Sequence, residues 1–321
     1  MLTDHMAALM REKPVPEELQ SGFMAFCKSY EKAVAKPPLA VFTAFWNAVV
    51  KQLSSPYQFT PYHEGIKEYY TLGLDFIRPL IDFSRSKVLG KEALDKINRA
   101  IVAKENVILL ANHQTEIDPQ IISLLIEKEY PELASEMIFV AGHRVTTDPL
   151  AVPLSLGRHL ICIFSKRHID SPPEKKAEKI QHNQRAMKGL EELLSEGGKC
   201  VYIAPSGGRD RQTAAGEIEV APFDPQAVEL FYLISQKAKR PTHFHSLALF
   251  TYDLLPPPDQ IVKEIGEERK TSFSPAYLAF SDEIMMEEVV DDSAIDKRER
   301  RQLRAEAIWN DLIANYKKFY V

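Results

Sequence analysis

Val107-Ile108-Leu109-Leu110-Ala111-Asn112-His113-Gln114-Thr115-Glu116-Ile117-Asp118-Pro119 passes from an unbroken apolar run into a short polar stretch holding a histidine and a carboxylate. A short apolar run closed by polar residues suits a strand buried on both faces. Beyond it, Ile121, Ile122, Leu124 and Leu125 take up helical spacing. Asp118-Pro119 stands where an N-cap and a first helical proline belong. The stretch therefore predicts a strand, a loop and a helix, the building unit of an α/β fold, whose ligands gather at the carboxyl ends of strands. His113 would lie in that loop, with Asp118 able to fold back onto it. A histidine oriented by a carboxylate is a general-base pair for a hydroxyl. Capping alone also accounts for Asp118, with His113 a plain loop residue, and these residues by themselves do not separate the two readings.

Downstream the alternation continues. Strands are predicted at 106–111, 137–141, 160–164, 199–204 and 246–251, with a sixth near 272–280, and helices at 119–129 and 174–195. This pattern predicts an α/β fold with a large mixed, largely parallel sheet flanked by helices. A closing helix places Ile308, Leu312, Tyr316 and Phe319 on one face, and the charged stretch 291–304 reads as a solvated helix surface. Upstream the strand signal vanishes. Leu19, Phe23, Phe26, Cys27, Tyr30 and Val34 recur at helical spacing, as do Phe42, Phe45, Trp46, Val49 and Leu53 after Pro37-Pro38. Residues 1–80 thus read as a small N-terminal helical bundle and 81–321 as the α/β domain.

A chain of 321 residues buries a sizeable core, and 45% hydrophobic with 26% charged residues is ordinary for a globular protein. A formal net charge of -5 argues against a general nucleic-acid binder. Cys27, Cys162 and Cys200 are widely separated, which suits buried thiols in a reducing compartment rather than disulfides or a metal. No apolar run reaches bilayer length, and Asp4, Glu12, Glu17 and Glu18 are unlike a secretory or organelle leader. The expectation is an intracellular, soluble chain, or a mature one already trimmed, with at most peripheral membrane contact.

Two cationic clusters follow predicted strands: Ser165-Lys166-Arg167-His168, and Pro205-Ser206-Gly207-Gly208-Arg209-Asp210-Arg211. Either alone would read as an exposed basic loop. Together on one rim with His113 and Asp118, and beside glycines whose amides allow close approach, they point to a phosphate-bearing substrate. Other candidates are weaker. Ser206 lacks the flanking pattern of a nucleophile elbow. Gly207-Gly208 is not a Walker loop, and His113 with Glu116 does not match the zinc-protease motif. His243 and His245 alternate on a strand without a third metal ligand.

His113-x-x-x-x-Asp118 resembles the signature of the glycerolipid acyltransferases. The longer strings Asn112-His113-Gln114-Thr115-Glu116, Phe139-Val140-Ala141-Gly142, Leu160-Ile161-Cys162 and Ile203-Ala204-Pro205-Ser206-Gly207-Gly208-Arg209-Asp210-Arg211 resemble one branch. That branch is the soluble glycerol-3-phosphate 1-acyltransferases of plant plastids, with relatives in some bacteria. The likeness extends to Tyr69-Tyr70 and to Ile77-Arg78-Pro79-Leu80-Ile81-Asp82-Phe83.

The resemblance implies acyl transfer from acyl-carrier protein or acyl-CoA to the 1-hydroxyl of glycerol 3-phosphate, with no metal and no cofactor. It implies His113 as base, Asp118 as its orienter, and Arg167, His168, Arg209 and Arg211 as phosphate contacts. Arg167 stands where the family has lysine, so Lys166 could share that contact. Ser246 departs from the proline of the broader superfamily. An acidic carrier protein would want a basic surface, for which Lys175, Lys176 and Lys179 are candidates. The alternatives are an acyltransferase for another phosphorylated alcohol such as lysophosphatidate, or a non-catalytic phosphate- or lipid-binding module.

Overall fold

Aromatic residues at helical spacing give the amino-terminal segment a shared buried face. The computed structural model describes residues 1–13, 15–257, 269–289 and 296–320, and of Arg167 the backbone alone, so positions 291–295 of the charged stretch lie outside the described residues. Helices α1 (Leu2–Glu12), α2 (Glu17–Ala33) and α3 (Leu39–Ser54), strand β1 (Tyr62–His63) and helix α4 (Lys67–Ile77) come first. Phe45 stacks on Phe76 with 4.3 Å between centroids, and Phe23 on Trp46 with 5.1 Å. The Tyr30 hydroxyl donates to the Phe76 carbonyl at 2.9 Å, so its polar end is satisfied inside the aromatic core. Leu53, expected on this face, is 37% exposed in the last turn of α3.

The chain then alternates: β2 (Lys87–Leu89), α5 (Lys91–Val102), β3 (Asn106–Ala111), α6 (Asp118–Ile126), α7 (Pro131–Glu136), β4 (Ile138–Gly142), α8 (Arg144–Thr147), α9 (Val152–Ser155) and β5 (His159–Ile163). There follow α10 (Lys166–Ile169), α11 (Lys176–Glu196), β6 (Cys200–Ile203), the small hairpin β7 (Arg211–Gln212) and β8 (Ile218–Glu219), α12 (Pro225–Lys237), β9 (Thr242–Phe250), β10 (Tyr277–Glu283) and α13 (Lys297–Lys317). An eight-stranded sheet runs β1-β5-β4-β6-β3-β9-β10-β2. Strands β5, β4, β6, β3 and β9 are mutually parallel, while β1 and β10 run antiparallel to β5 and β9. The expected α/β architecture, a mixed and largely parallel sheet behind amino-terminal helices, is the one observed.

Strand β3 lies at the centre and is buried at every residue. Ile108 and Leu110 pack with α11, α12 and α13, whereas Val107, Leu109 and Ala111 pack with α5, α6 and α7. Burying each large side chain contributes roughly 1.5–3 kcal/mol, which fixes the register of the strand that delivers His113. The bundle core also includes Ile117, Ile121 and Leu124, so the amino-terminal helices pack directly on α6. Cys27, Cys162 and Cys200 are buried free thiols, and burial pushes those of Cys162 and Cys200 up to about 12.

Strand β9 begins at Thr242 rather than at 246. The two histidines in its first half are structural. His243 bridges Glu105 at 2.9 Å and Glu283 at 2.7 Å, and His245 donates to the Ser281 carbonyl at 3.0 Å. Burial opposes the charge on His243, but the two carboxylates prevail and raise its pKa above the usual 6.5. A raised folded-state pKa contributes stability that is complete below the unfolded value and disappears as pH rises through the folded one. His243→Gln is therefore expected to lose stability relative to wild type below about pH 6 and to approach it in alkali. Denaturant midpoints measured across pH check this, and a deficit independent of pH would refute it.

Candidate active site

Because β3, β4, β5, β6 and β9 are parallel, their carboxyl ends form one rim. His113 follows β3, and its Nδ1 lies 2.8 Å from Asp118 Oδ2. The Asp118 carboxylate is 1% exposed. Its Oδ2 also accepts the Gln114 N–H at 2.8 Å, and its Oδ1 accepts the Thr115 N–H and Oγ1, both at 3.1 Å, and Thr251 Oγ1 at 2.6 Å. A carboxylate taking this many donors is an acceptor only, so Nδ1 carries the imidazole proton and Nε2 presents the lone pair. The His113 side chain is 32% exposed, and among the described residues no protein group bonds Nε2.

This geometry corrects the capping expectation. Helix α6 starts at Asp118 with Ile117 as its N-cap, and no side chain caps it. The Asp118 carboxylate turns back to the amides of the preceding loop instead of forward into the helix.

The loop carrying His113 is tied down on both sides. Asn112 Nδ2 donates to the Leu249 carbonyl at 2.9 Å and its Oδ1 accepts the Leu249 N–H at 2.7 Å. Gln114 Oε1 accepts the N–H groups of Thr251 and Tyr252 at 2.7 and 3.0 Å, and Tyr202 Oη donates to the Asn112 carbonyl at 2.7 Å. Toward β6, Asp210 N–H donates to the His113 carbonyl at 2.7 Å. The loop bearing Arg209 and Arg211 therefore crosses directly beside His113. Gly207 in that loop has φ 65°, a left-handed turn that glycine adopts without strain. Ser206 Oγ donates to the Gly208 carbonyl at 2.9 Å, serving the turn.

The cluster after β5 divides. Lys166 is salt-bridged to Asp224 and donates to Gln226 Oε1 at 3.0 Å. Only the backbone of Arg167, within α10, is described. His168 Nδ1 lies 3.2 Å from Ser165 Oγ, and its ring meets that of His143, which follows β4, at 4.6 Å. Lys179, offered as a docking lysine, is buried and donates to the carbonyls of His168 and Ser171. It braces this loop and cannot serve a partner. Lys176 is exposed and paired with Asp170 at 2.8 Å, and Lys175 is exposed. At Ser246, the N–H donates to Ser281 Oγ at 2.7 Å and Oγ to Asp311 at 2.6 Å. Proline would have no such donor.

Sequence reading did not assign roles to several residues here. Glu116 is forked by Arg269, whose Nη2 also reaches Asp148 at 2.7 Å. Burial pushes the Glu116 carboxyl upward, but Arg269, with Arg209 and Arg144 nearby, brings it below the usual range. Thr251, Asp210 and Arg269 lie far along the chain from His113, and only the fold brings them together. The one available signal was Asp210, an acid between two arginines in an otherwise cationic string.

The rim thus holds a histidine–carboxylate pair beside an arginine-bearing loop, in a chain whose sequence is similar to acyltransferases. The family model described as Acyltransferase matches residues 85–241. A chloroplastic glycerol-3-phosphate acyltransferase of Cucurbita moschata is 37% identical over 94% of this chain and 68% of its own length. A second from that plant is 38% identical over 86% and 64%, and that of Spinacia oleracea is 39% identical over 87% and 60%. The chain belongs to the plastid-type glycerol-3-phosphate acyltransferase family. It spans 68% of the length of the first Cucurbita relative, 64% of the second and 60% of the Spinacia relative. Among solved structures, the 1-acyl-sn-glycerophosphate acyltransferase of Thermotoga maritima matches with a TM-score of 0.41 and 14% identity over 98% of this chain and 94% of its own.

Proposed function

We propose that this chain transfers a fatty acyl group from acyl-carrier protein or acyl-CoA to the 1-hydroxyl of glycerol 3-phosphate, giving 1-acylglycerol 3-phosphate. The observation that carries this reading is the outward lone pair of His113, oriented by Asp118, on a loop bonded to the arginine-bearing loop 209–211. His113 Nε2 removes the hydroxyl proton as the oxygen attacks the thioester carbonyl. The C–O bond forms, the C–S bond breaks, and the proton passes from the imidazolium to the departing thiolate. General-base help of ~10²–10⁴ corresponds to roughly 3–5.5 kcal/mol of barrier. Arg209, Arg211 and His168, with Arg167, bind the phosphate and so aim the distant hydroxyl.

Where the helical bundle meets the His113 loop there is a small void of about 20 Å³, too small for an acyl chain. Phe23, Phe26, Phe45, Phe76, Leu150 and Leu154 line it, together with Glu116 and Ile117 from the His113 loop. In this reading the helical bundle of residues 1–80 packs on the His113 loop and α6, and 81–321 is the catalytic domain. Among the described residues no helix is long and apolar enough to cross a membrane. The relatives' chloroplastic designation supports a plastid stroma setting, with bacterial cytoplasm as the other.

The test is thiol release from palmitoyl-CoA and from acyl-carrier protein, with and without glycerol 3-phosphate. Release that needs the acceptor supports the reading; release with lysophosphatidate alone would move the acceptor, and none with either would remove the enzyme assignment. In the same assay Arg209→Ala is expected to raise the KM for glycerol 3-phosphate by ~10–100-fold, the loss of one charge-assisted contact. A change confined to the acyl donor's KM would place Arg209 on the acyl side.

A further inference from the structure

Asp210 is fully buried between two arginines proposed to hold phosphate. Its Oδ2 accepts Asn112 Nδ2 at 2.7 Å and Gln114 Nε2 at 3.1 Å, and its backbone N–H donates to the His113 carbonyl at 2.7 Å. One residue therefore holds three consecutive positions of the loop that carries the base. The other oxygen, Oδ1, accepts the Ala221 N–H at 3.0 Å and ties this grip to the return of the β7–β8 hairpin. Burying a carboxylate is costly. Burial raises this one to about 6 despite its hydrogen bonds. A group retained against such a penalty calls for a compensating role, and here its partners are all in the two loops that meet at the site.

We propose that Asp210 is a positioning residue that fixes the His113 loop and the Arg209–Arg211 loop to one another, so that base alignment and phosphate grip are set by the same side chain. This rests on the acyl-transfer reading. The Asp210 carboxylate is an acceptor facing side-chain and backbone donors from both loops. Remove it, and Asn112 and Gln114 keep their bonds toward β9 but lose their common anchor toward β6. His113 and the flanking arginines then shift independently, and a displacement of about 1 Å costs ~10²-fold in rate.

The test compares wild type, Asp210→Asn and Asp210→Ala as full chains, measuring kcat, the KM for glycerol 3-phosphate and for palmitoyl-CoA, and the folded fraction by near-UV circular dichroism. For Asp210→Ala, kcat per folded molecule should fall ~10–100-fold and the KM for glycerol 3-phosphate should rise severalfold, with the palmitoyl-CoA KM unchanged. Asp210→Asn keeps an oxygen for Asn112 and Gln114 and loses only the Ala221 contact, so it should recover most of kcat. A merely structural role would lower the folded fraction and leave both constants of the folded molecules at wild-type values, which would overturn the proposal. So would a fall in kcat without movement of the glycerol 3-phosphate KM. If Asp210→Ala does not fold, equal constants for Asp210→Asn and Asp210→Ser decide against it. Absence of acceptor-dependent turnover in the wild type would instead refute the reading on which it rests.

Discussion

Replacing His113 by alanine is expected to lower kcat by about 10³–10⁴ while leaving glycerol 3-phosphate binding close to wild type. The ring makes one side-chain hydrogen bond, to Asp118, and is 32% exposed, so truncation opens no core cavity. Asp118 keeps its bonds from Gln114, Thr115 and Thr251, and the loop keeps its anchors at Leu249, Thr251 and Asp210. Besides the bond to Asp118, only the lone pair facing solvent is lost. Proton removal matters in the transition state more than in the ground state, which is why the effect belongs in kcat and not in acceptor affinity. Steady-state kinetics paired with calorimetric titration of glycerol 3-phosphate separates the two. Retained kcat would sink the base assignment, and a parallel loss of binding would make His113 a phosphate ligand instead.

What could be read from the sequence follows how locally each feature is encoded. The β3 boundaries match residue for residue, because a central parallel strand buried on both faces must be apolar throughout. The pairing of His113 with Asp118 was also within reach, since both lie in one strand-to-helix turn. Helix α12 was not assigned: Leu230 and Leu233 are 43% and 45% exposed while Val228, Phe231 and Ile234 are buried, so its apolar residues form no clean stripe. Strands β1 and β7 have two residues each, too short for any period to register. Lys179 looked like one lysine among several on a charged helix, and its burial depends on a loop that only the fold places over it. The acceptors and donors that hold the His113 loop come from β9, β6 and α13. Tyr316 meets Gln114 from a sequence separation of 202, and no local pattern encodes such a contact.

Arg269→Met is expected to destabilise the folded chain by about 3–5 kcal/mol, the usual consequence of removing one partner from a buried charge cluster. The Arg269 side chain is 11% exposed and lies between Glu116 and Asp148, themselves 16% and 4% exposed. Methionine fills similar space, so little of the loss arises from packing. Its source is two carboxylates left in a poorly solvated site without their cation. Asp148 retains the Leu150 N–H at 3.0 Å, which offsets part of the penalty for that residue alone. The sign of the pH dependence follows. Burial pushes the Glu116 carboxyl up and Arg269 is the main group that brings it down, so without Arg269 it binds a proton more readily folded than unfolded, and the variant's deficit should shrink as pH falls toward 4. Adding Glu116→Gln and Asp148→Asn to Arg269→Met should recover much of the loss at neutral pH, because a neutral cluster has no charge to desolvate. Urea midpoints of the single and triple variants at pH 5 and pH 8 test both statements. A single-variant loss below about 1 kcal/mol would mean that water already solvates the cluster. The outcome also bears on activity, since Glu116 lies between His113 and Asp118 in sequence. If the triple variant regains stability but not turnover, the negative charge at Glu116 serves the site itself as well as the fold.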